Sequence, residues 1–497
     1  MIQLQLRTGV VFGLLLISGR LWASEGPFAG SLPVPEKYAA GFTAINEADS
    51  VELLRTLVEG DMAGRGTGQE GYLKAARWFA SQLESCGFQP AGDNGTWFQN
   101  VPFVKHTTLP DQCEFKVGND VCIAAADLGI SDYFGSYEGS LPVAFVRITK
   151  ERPTVIEGQF AGMLLVIQSA GRFSGSDELI LKSKPACVLV VGDGGRVRNE
   201  AVNRTEQTPA PVPVAMVTRT AAGKLATSCG LNSDFFRDGE PDDNLIVTSS
   251  RMVACRLGIE KEAIDVPNVI GWYPGHDESL RHEHICVGAH LDHLGRQRGD
   301  VYPGADDNGS GSAAVLQVAR AIHQNPEKPR RSVLLMAFCA EERGLLGSKY
   351  YVENPVRPLK DMICMLNIDM IGRNEETPEE PASANENTIH LVGSQDQSKQ
   401  FHELIQSVNQ HVEFEFEYDM ENVVDGRSDH ASFSAKGIPV SFLFGGFNPH
   451  YHKPTDTMDG INFSKIANAA RLDYLLLMEA AEHGAFEKNP EPPAKSE

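Results

Sequence analysis

Through residues 51–89 apolar side chains recur at three- and four-residue spacing: Leu53, Leu54 and Leu57, then Ala75, Ala76, Phe79 and Leu83. That period places them on one side of a helix, so the stretch is predicted to be helical. A turn-rich run, Ala63-Gly64-Arg65-Gly66-Thr67-Gly68, interrupts it. No Gly-Lys-Ser/Thr follows those glycines, so they read as a plain loop and not as a phosphate cradle. From residue 104 to 259 the period shortens. Runs at 141–148, 162–168 and 186–191 alternate with Gly, Pro and Asp turns and predict short strands. From 263 to 482 strand and helix patterns alternate, as in a parallel sheet flanked by helices. Strands are expected at 285–289, 332–339, 362–368, 388–392 and 439–444, and helices at 313–323, 344–352, 401–408 and 466–481.

Composition narrows the class. The chain has 497 residues, 42% of them hydrophobic and 22% charged, a globular balance. At about 100–200 residues per domain, this length implies two or three domains with ample core. Lys and Arg number 44 against 66 Asp and Glu, a formal net charge of −22. Such a surface does not attract phosphate backbones or anionic lipid, which argues against nucleic acid as a partner. The acidic stretch Asp238-Gly239-Glu240-Pro241-Asp242-Asp243 lacks the alternating ligand spacing of a calcium loop and reads as solvated.

The first residues have the layout of an export signal: Arg7, an apolar run over 9–17, and Leu21-Trp22-Ala23 at the cut. The apolar run is too short to span a bilayer, and no later stretch reaches the required ~20 residues, so no stable membrane anchor is expected. Residues 1–23 are accordingly assigned as a signal peptide, with a periplasmic or extracellular destination. Nine cysteines, an odd number with no Cys-x-x-Cys pair, do not make a disulfide scaffold or a thiolate metal site. Cys187, Cys286, Cys339 and Cys364 lie in apolar runs as small hydrophobes, while Cys113 and Cys122 are spaced to bridge a hairpin. The charged, proline-rich tail 488–497 is expected to be disordered.

Five segments near predicted strand ends carry metal-type ligands, and strand ends are where open α/β sheets build sites. In Gly288-Ala289-His290-Leu291-Asp292-His293, the His-x-Asp spacing puts two polar side chains on one strand face. Pro303-Gly304-Ala305-Asp306-Asp307-Asn308 brings adjacent carboxylates to a helix start, where capping explains one Asp more readily than two. Phe338-Cys339-Ala340-Glu341-Glu342 sets two glutamates directly after an apolar strand, a costly placement without positive charge nearby. Asp369 is a lone carboxylate in the hydrophobic run Met365-Leu366-Asn367-Ile368-Asp369, and His450-Tyr451-His452 supplies the last histidines, supported by Ser428-Asp429-His430. Together the segments offer an inventory suited to two zinc ions sharing one bridging carboxylate.

This ordered set resembles the cocatalytic zinc peptidases of metallopeptidase family 28, which include bacterial aminopeptidases and glutamate carboxypeptidases. The resemblance implies a doubly wound, mostly parallel α/β sheet of the zinc exopeptidase type, with residues 104–262 as an inserted β-rich protease-associated domain. Residues 24–103 would then fold back onto the peptidase domain of 263–487. It also implies His290, Asp306 and Asp369 on one zinc and Asp306, Glu342 and His452 on the other. Asp306 is expected to bridge, as the first of its pair and next to a cis peptide. Glu341 matches the general base, and Asp292 the carboxylate behind His290. Lys453 departs from the threonine or serine that commonly follows the last histidine, which touches substrate contacts and not metal binding.

The function implied is an aminopeptidase acting on peptides, with Tyr451 as a candidate for stabilising the oxyanion. Arg427 and Lys453 keep a carboxypeptidase open, and glutaminyl cyclases and non-catalytic binding proteins share such scaffolds. Phe442 and Phe444 alternate as in an ordinary core strand, so core packing is expected of them, and Phe447 follows.

Overall fold

The computed structural model describes residues 31–130, 135–170, 177–192, 200–204, 212–297, 299–418 and 426–489. The expected signal peptide, and the expected tail apart from Lys488 and Asn489, lie outside them.

The described strands form a sheet of 16, with one two-stranded ribbon apart. Its spine runs Glu415–Glu417, Thr388–Val392, Val440–Phe444, Met362–Asp369, His284–His290, Ser332–Phe338, Leu245–Tyr273, Tyr137–Ile148, Leu164–Ser169, Cys187–Gly192, Val214–Thr218 and Leu128–Ile130. His284–His290 lies parallel to both of its neighbours, and Val440–Phe444 is parallel to Met362–Asp369. Thr388–Val392 runs antiparallel to Val440–Phe444 and parallel to Glu415–Glu417, while Leu245–Tyr273 runs antiparallel to Ser332–Phe338. Strands covered on both faces need apolar residues at nearly every position, and His284–His290, Ser332–Phe338 and Met362–Asp369 are buried throughout.

Alternation divides those residues between two layers. Ile285, Val287, Val333, Leu335, Cys364 and Leu366 face a core built with the helices Gly311–Gln324, Phe463–His483, Glu47–Val58 and Glu70–Ser85. Cys286, Leu334, Met336, Phe338 and Met365 face the opposite side, where Tyr351 and Val352 of Leu346–Glu353 and Phe433 of His430–Ser434 cover them. A second core surrounds the other half of the sheet. There Val143, Phe145, Leu164 and Val166 point to one face, and Ala144, Val146, Leu165 and Ile167 to the other. The long strands Phe98–Val117 and Leu245–Tyr273 pair with each other and run from one core into the other.

Several helices escape the hydrophobic pattern, two of them for plain reasons. Glu36–Ala44 precedes the first periodic run and buries Tyr38 and Phe42. Arg219–Ser228, in a region that reads as short strands, buries only small residues and Leu225, a weak helical signal. All nine cysteines are buried and free, and Cys113 donates its thiol to the Gly258 carbonyl instead of bridging to Cys122. Among the described residues no helix is long and apolar enough to cross a membrane.

The parallel register positions the site. His290 stands level with Phe338, and Asp369 with Phe444, so the loops after all four strands open on one edge of the sheet.

Candidate active site

The imidazole of His290 ends its strand, wholly buried. Its Nδ1 lies 3.0 Å from the backbone carbonyl of Asp292, an atom that only accepts, so Nδ1 carries the proton. Nε2 then faces Asp307 Oδ1 at 3.3 Å and Asp369 Oδ1 at 3.2 Å. Across the same carboxylate, His452 Nε2 is 3.1 Å from Asp307 Oδ2 and 3.1 Å from Glu342 Oε2. His293 Nδ1 lies 2.7 Å from Glu342 Oε1 and 3.7 Å from Asp307 Oδ2. Asp307 therefore offers one oxygen to each of two groups of ligand-type atoms. Such packing of lone pairs is repulsive unless protons or cations lie between them.

This corrects the expectation for Asp306. Its Oδ1 accepts the backbone N–H groups of Gly372 (2.7 Å) and Arg373 (2.9 Å), and its Oδ2 accepts the Asn448 amide at 2.9 Å. Asp307 takes an extended conformation, and successive side chains on extended backbone point to opposite sides. Only Asp307 therefore enters the cluster. The cis peptide joins Asp307 to Asn308, after the second carboxylate of the pair and not the first. The N–H groups of both aspartates donate to Asp456, which Arg373 holds through Nε at 3.2 Å.

Asp292 also departs from expectation. Its Oδ1 is 3.9 Å from His290 Nδ1 and accepts the Glu341 N–H at 3.0 Å instead, while Oδ2 accepts the Thr67 hydroxyl at 2.8 Å. The group behind His290 is the Asp292 carbonyl, and the carboxylate fixes the Glu341 backbone. Thr67 belongs to the glycine-rich run read above as a plain loop. In that run the fully buried Arg65 donates to the carbonyls of Leu57 (3.1 Å), Leu291 (2.8 Å), Pro303 (2.8 Å) and Gly304 (2.7 Å). The run thus ties the first ligand segment to the start of the second. Ser428 braces the far side, its hydroxyl donating to Asp369 Oδ2 at 2.7 Å.

Glu341 retains some exposure, yet its carboxyl is enclosed. Desolvation holds it well above the ordinary range, His290 opposes that shift, and Glu342 and Asp369 add to it. For Asp307 burial also pushes upward, but His293, His290 and His452 outweigh it and hold the carboxyl low. Backbone strain gathers here as well. Ala340 (φ 55°), Met370 (φ 54°) and His452 (φ 56°) are left-handed without being glycine, and each is or adjoins a cluster residue.

The cluster floors a cleft of about 330 Å³. Met370, Phe442, Phe444, Phe447 and Tyr451 form an apolar wall, and Arg427 stands beside them. Phe442 and Phe444 are buried, as the alternation predicts, but what they pack around is this cleft. The Tyr451 ring stacks on His452 with centroids 3.8 Å apart. Lys453 turns away and bonds the Pro449 carbonyl in an exposed position. Of the residues singled out in sequence, His290, Glu341, Glu342, Asp369, Tyr451 and His452 come together. Arg65, His293 and Asp307 join them without having been assigned. The signal available for His293 was its place in the first ligand segment.

The strand-end cluster of histidines and carboxylates lies within the part of the chain that resembles known proteins. Residues 268–476 match the model described as peptidase family M28. Leupeptin-inactivating enzyme 1 of Streptomyces exfoliatus is 32% identical over 218 residues, 39% of this chain and 44% of that protein. Aminopeptidase YwaD of Bacillus subtilis is 29% identical over 211 residues, 41% of this chain and 42% of that protein. The matched region thus spans less than half the length of either relative. The fold is shared more widely. An aminopeptidase from Aneurinibacillus sp. strain AM-1 superposes with TM-score 0.57 at 20% identity, over 90% of this chain and 96% of that one. BSAP, a zinc aminopeptidase from Bacillus subtilis, gives TM-score 0.59 at 18% identity, over 88% and 95%. Residues 268–476 are thus similar in sequence to peptidase family M28, and the fold is that of the two solved aminopeptidases.

Proposed function

We propose that the protein is an exported di-zinc aminopeptidase that removes N-terminal residues from peptides. The observation that carries this reading is Asp307, one carboxylate serving two groups of buried nitrogen and oxygen donors. The donor set fits zinc, which takes imidazole and carboxylate ligands. Both ring nitrogens of His293, and Glu342 Oε1, are buried without a hydrogen-bond partner, as atoms awaiting a cation would be. His290, Asp307 and Asp369 would hold one ion, and Asp307, Glu342 and His452 the other. When bound, the pair supplies Lewis acidity at the scissile carbonyl and lowers the pKa of water at the site.

The chain's own groups do the rest. Glu341, its backbone tied to Asp292, takes the proton from the attacking water and passes it to the leaving amine. Desolvation raises its affinity for that proton, which suits a group that must hold one between two steps. Burial keeps the Tyr451 hydroxyl protonated and able to donate to a developing oxyanion. The wall of Met370, Phe442 and Phe444 would receive an apolar N-terminal side chain, while the carboxylates attract the free α-amine. Residues 1–23 carry the export reading. Residues 104–262, whose strands build the second core, are proposed as a protease-associated insertion.

Arg427 in the cleft favours one competing reading, a carboxypeptidase that binds the terminal carboxylate. A panel of apolar dipeptides separates the two: amidated peptides remain substrates and N-acetylated ones do not. The reverse pattern overturns the aminopeptidase. Glu341→Gln is expected to lower kcat by roughly 10²–10⁴ with zinc content unchanged. Near-normal hydrolysis by the zinc-loaded variant removes Glu341 as the base.

A further inference from the structure

We infer that His293 is a fourth protein donor to the cation position of Asp307, Glu342 and His452, so that the two positions of the centre are unequal. The inference rests on the di-metal reading above and adds to it a ligand and a difference in metal retention.

The ring of His293 is fully enclosed and held in place. Its backbone N–H donates to the Arg65 carbonyl at 3.1 Å, and its ring packs on Gly304 so closely that a side chain there would strike it. Neither ring nitrogen has a hydrogen-bond partner, and Glu342 Oε1 has none either. Yet Nδ1 and Oε1 are 2.7 Å apart, a contact that is repulsive unless a proton or a cation lies between them. Burying an imidazole with both nitrogens unpaired is costly, and so is an unpaired carboxylate oxygen beside it. A cation bound by both atoms removes the two costs at once. His452 approaches the same carboxylate from the exposed side, its ring edge-on to that of His293 with centroids 5.8 Å apart.

The other position differs. There the second nitrogen of His290 is committed to the Asp292 carbonyl, and the protein offers three donors: His290, Asp307 and Asp369. Four protein donors make a closed, retentive site, whereas three leave room for water or substrate. The structure thus assigns retention to the His293 position and exchange to the His290 position.

The test uses the full chain loaded with zinc and titrated with a competing chelator. Wild-type protein is expected to release two equivalents in two phases. His293→Ala and the more conservative His293→Asn should weaken the tighter phase by about tenfold or more and leave the other within about twofold. Two unchanged phases in a folded variant overturn the inference while leaving the di-metal reading intact. Wild-type protein that binds fewer than two equivalents overturns that reading itself. Zinc-edge X-ray absorption on the wild type requires no variant to fold. Three imidazoles per zinc pair are expected, and two would exclude His293 as a ligand.

Discussion

The two halves of the sheet are built alike and equipped differently. Each has a run of parallel strands sorted by alternation into two buried layers, and each covers at least one face with helices. One strand, Leu245–Tyr273, belongs to both: residues 245–257 pair with Tyr137–Ile148, and residues 269–273 with Ser332–Phe338. In the half around His284–His290, strand ends carry buried histidines and carboxylates. In the other half, charges near strand ends settle in partly exposed pairs such as Arg147 with Asp243. The lesson is that the scaffold does not define the chemistry. What separates the halves is whether polar strand ends are braced from behind, by Arg65, Asp292, Asp456 and Ser428 in the one case.

The sharpest challenge to this contrast is Asp307→Asn, which removes a charge shared by both groups. It is expected to lower kcat/KM by more than about 10³ and to cost both metal equivalents, since each position loses its common donor. Retention of two equivalents by elemental analysis would break the asymmetry drawn between the halves. Next in size are truncations in the two cores. Leu335→Ala and Leu189→Ala each leave a cavity at a fully buried site and should destabilise by about 2–5 kcal/mol. Because one strand threads both cores, calorimetry is expected to show a single transition lowered by either change. Two separate transitions would mean that the halves are independent.

A smaller effect concerns His284, at the start of the strand that delivers His290. Burial pushes its imidazole down from 6.5 to about 4, so it stays neutral in the folded protein while the unfolded chain takes up a proton. Stability should fall as pH drops from about 6.5 to 4, with up to about 3 kcal/mol lost to this group. His284→Phe should flatten that part of the pH–stability curve. An unchanged slope would mean that the imidazole is not buried neutral.

Much of this was legible because the central strands are continuous apolar runs bounded by turns, so 285–289 and 362–368 differ from the observed His284–His290 and Met362–Asp369 only at their ends. Five ligand segments were recognisable because buried carboxylates are rare. The choice between Asp306 and Asp307 was not, since two identical neighbours differ only in backbone conformation. Arg65 was hidden for another reason: an arginine among glycines looks solvated until its four carbonyl partners are known. A count of the carboxylates bound for burial would have pointed to a missing internal cation. Phe442 and Phe444 show the converse limit, because alternation reports burial but not whether a side chain is buried against protein or beside a cleft.

The grip of Arg65 also bears on the order of folding. Three of its four acceptors lie 226, 238 and 239 positions further along the chain. Closing loops of that length is entropically slow, and no contact rewards it until the partners meet. The cage is thus among the last features a newly made molecule completes, and a chain whose early helices have not yet docked carries its histidines and acids without the frame that brings them together.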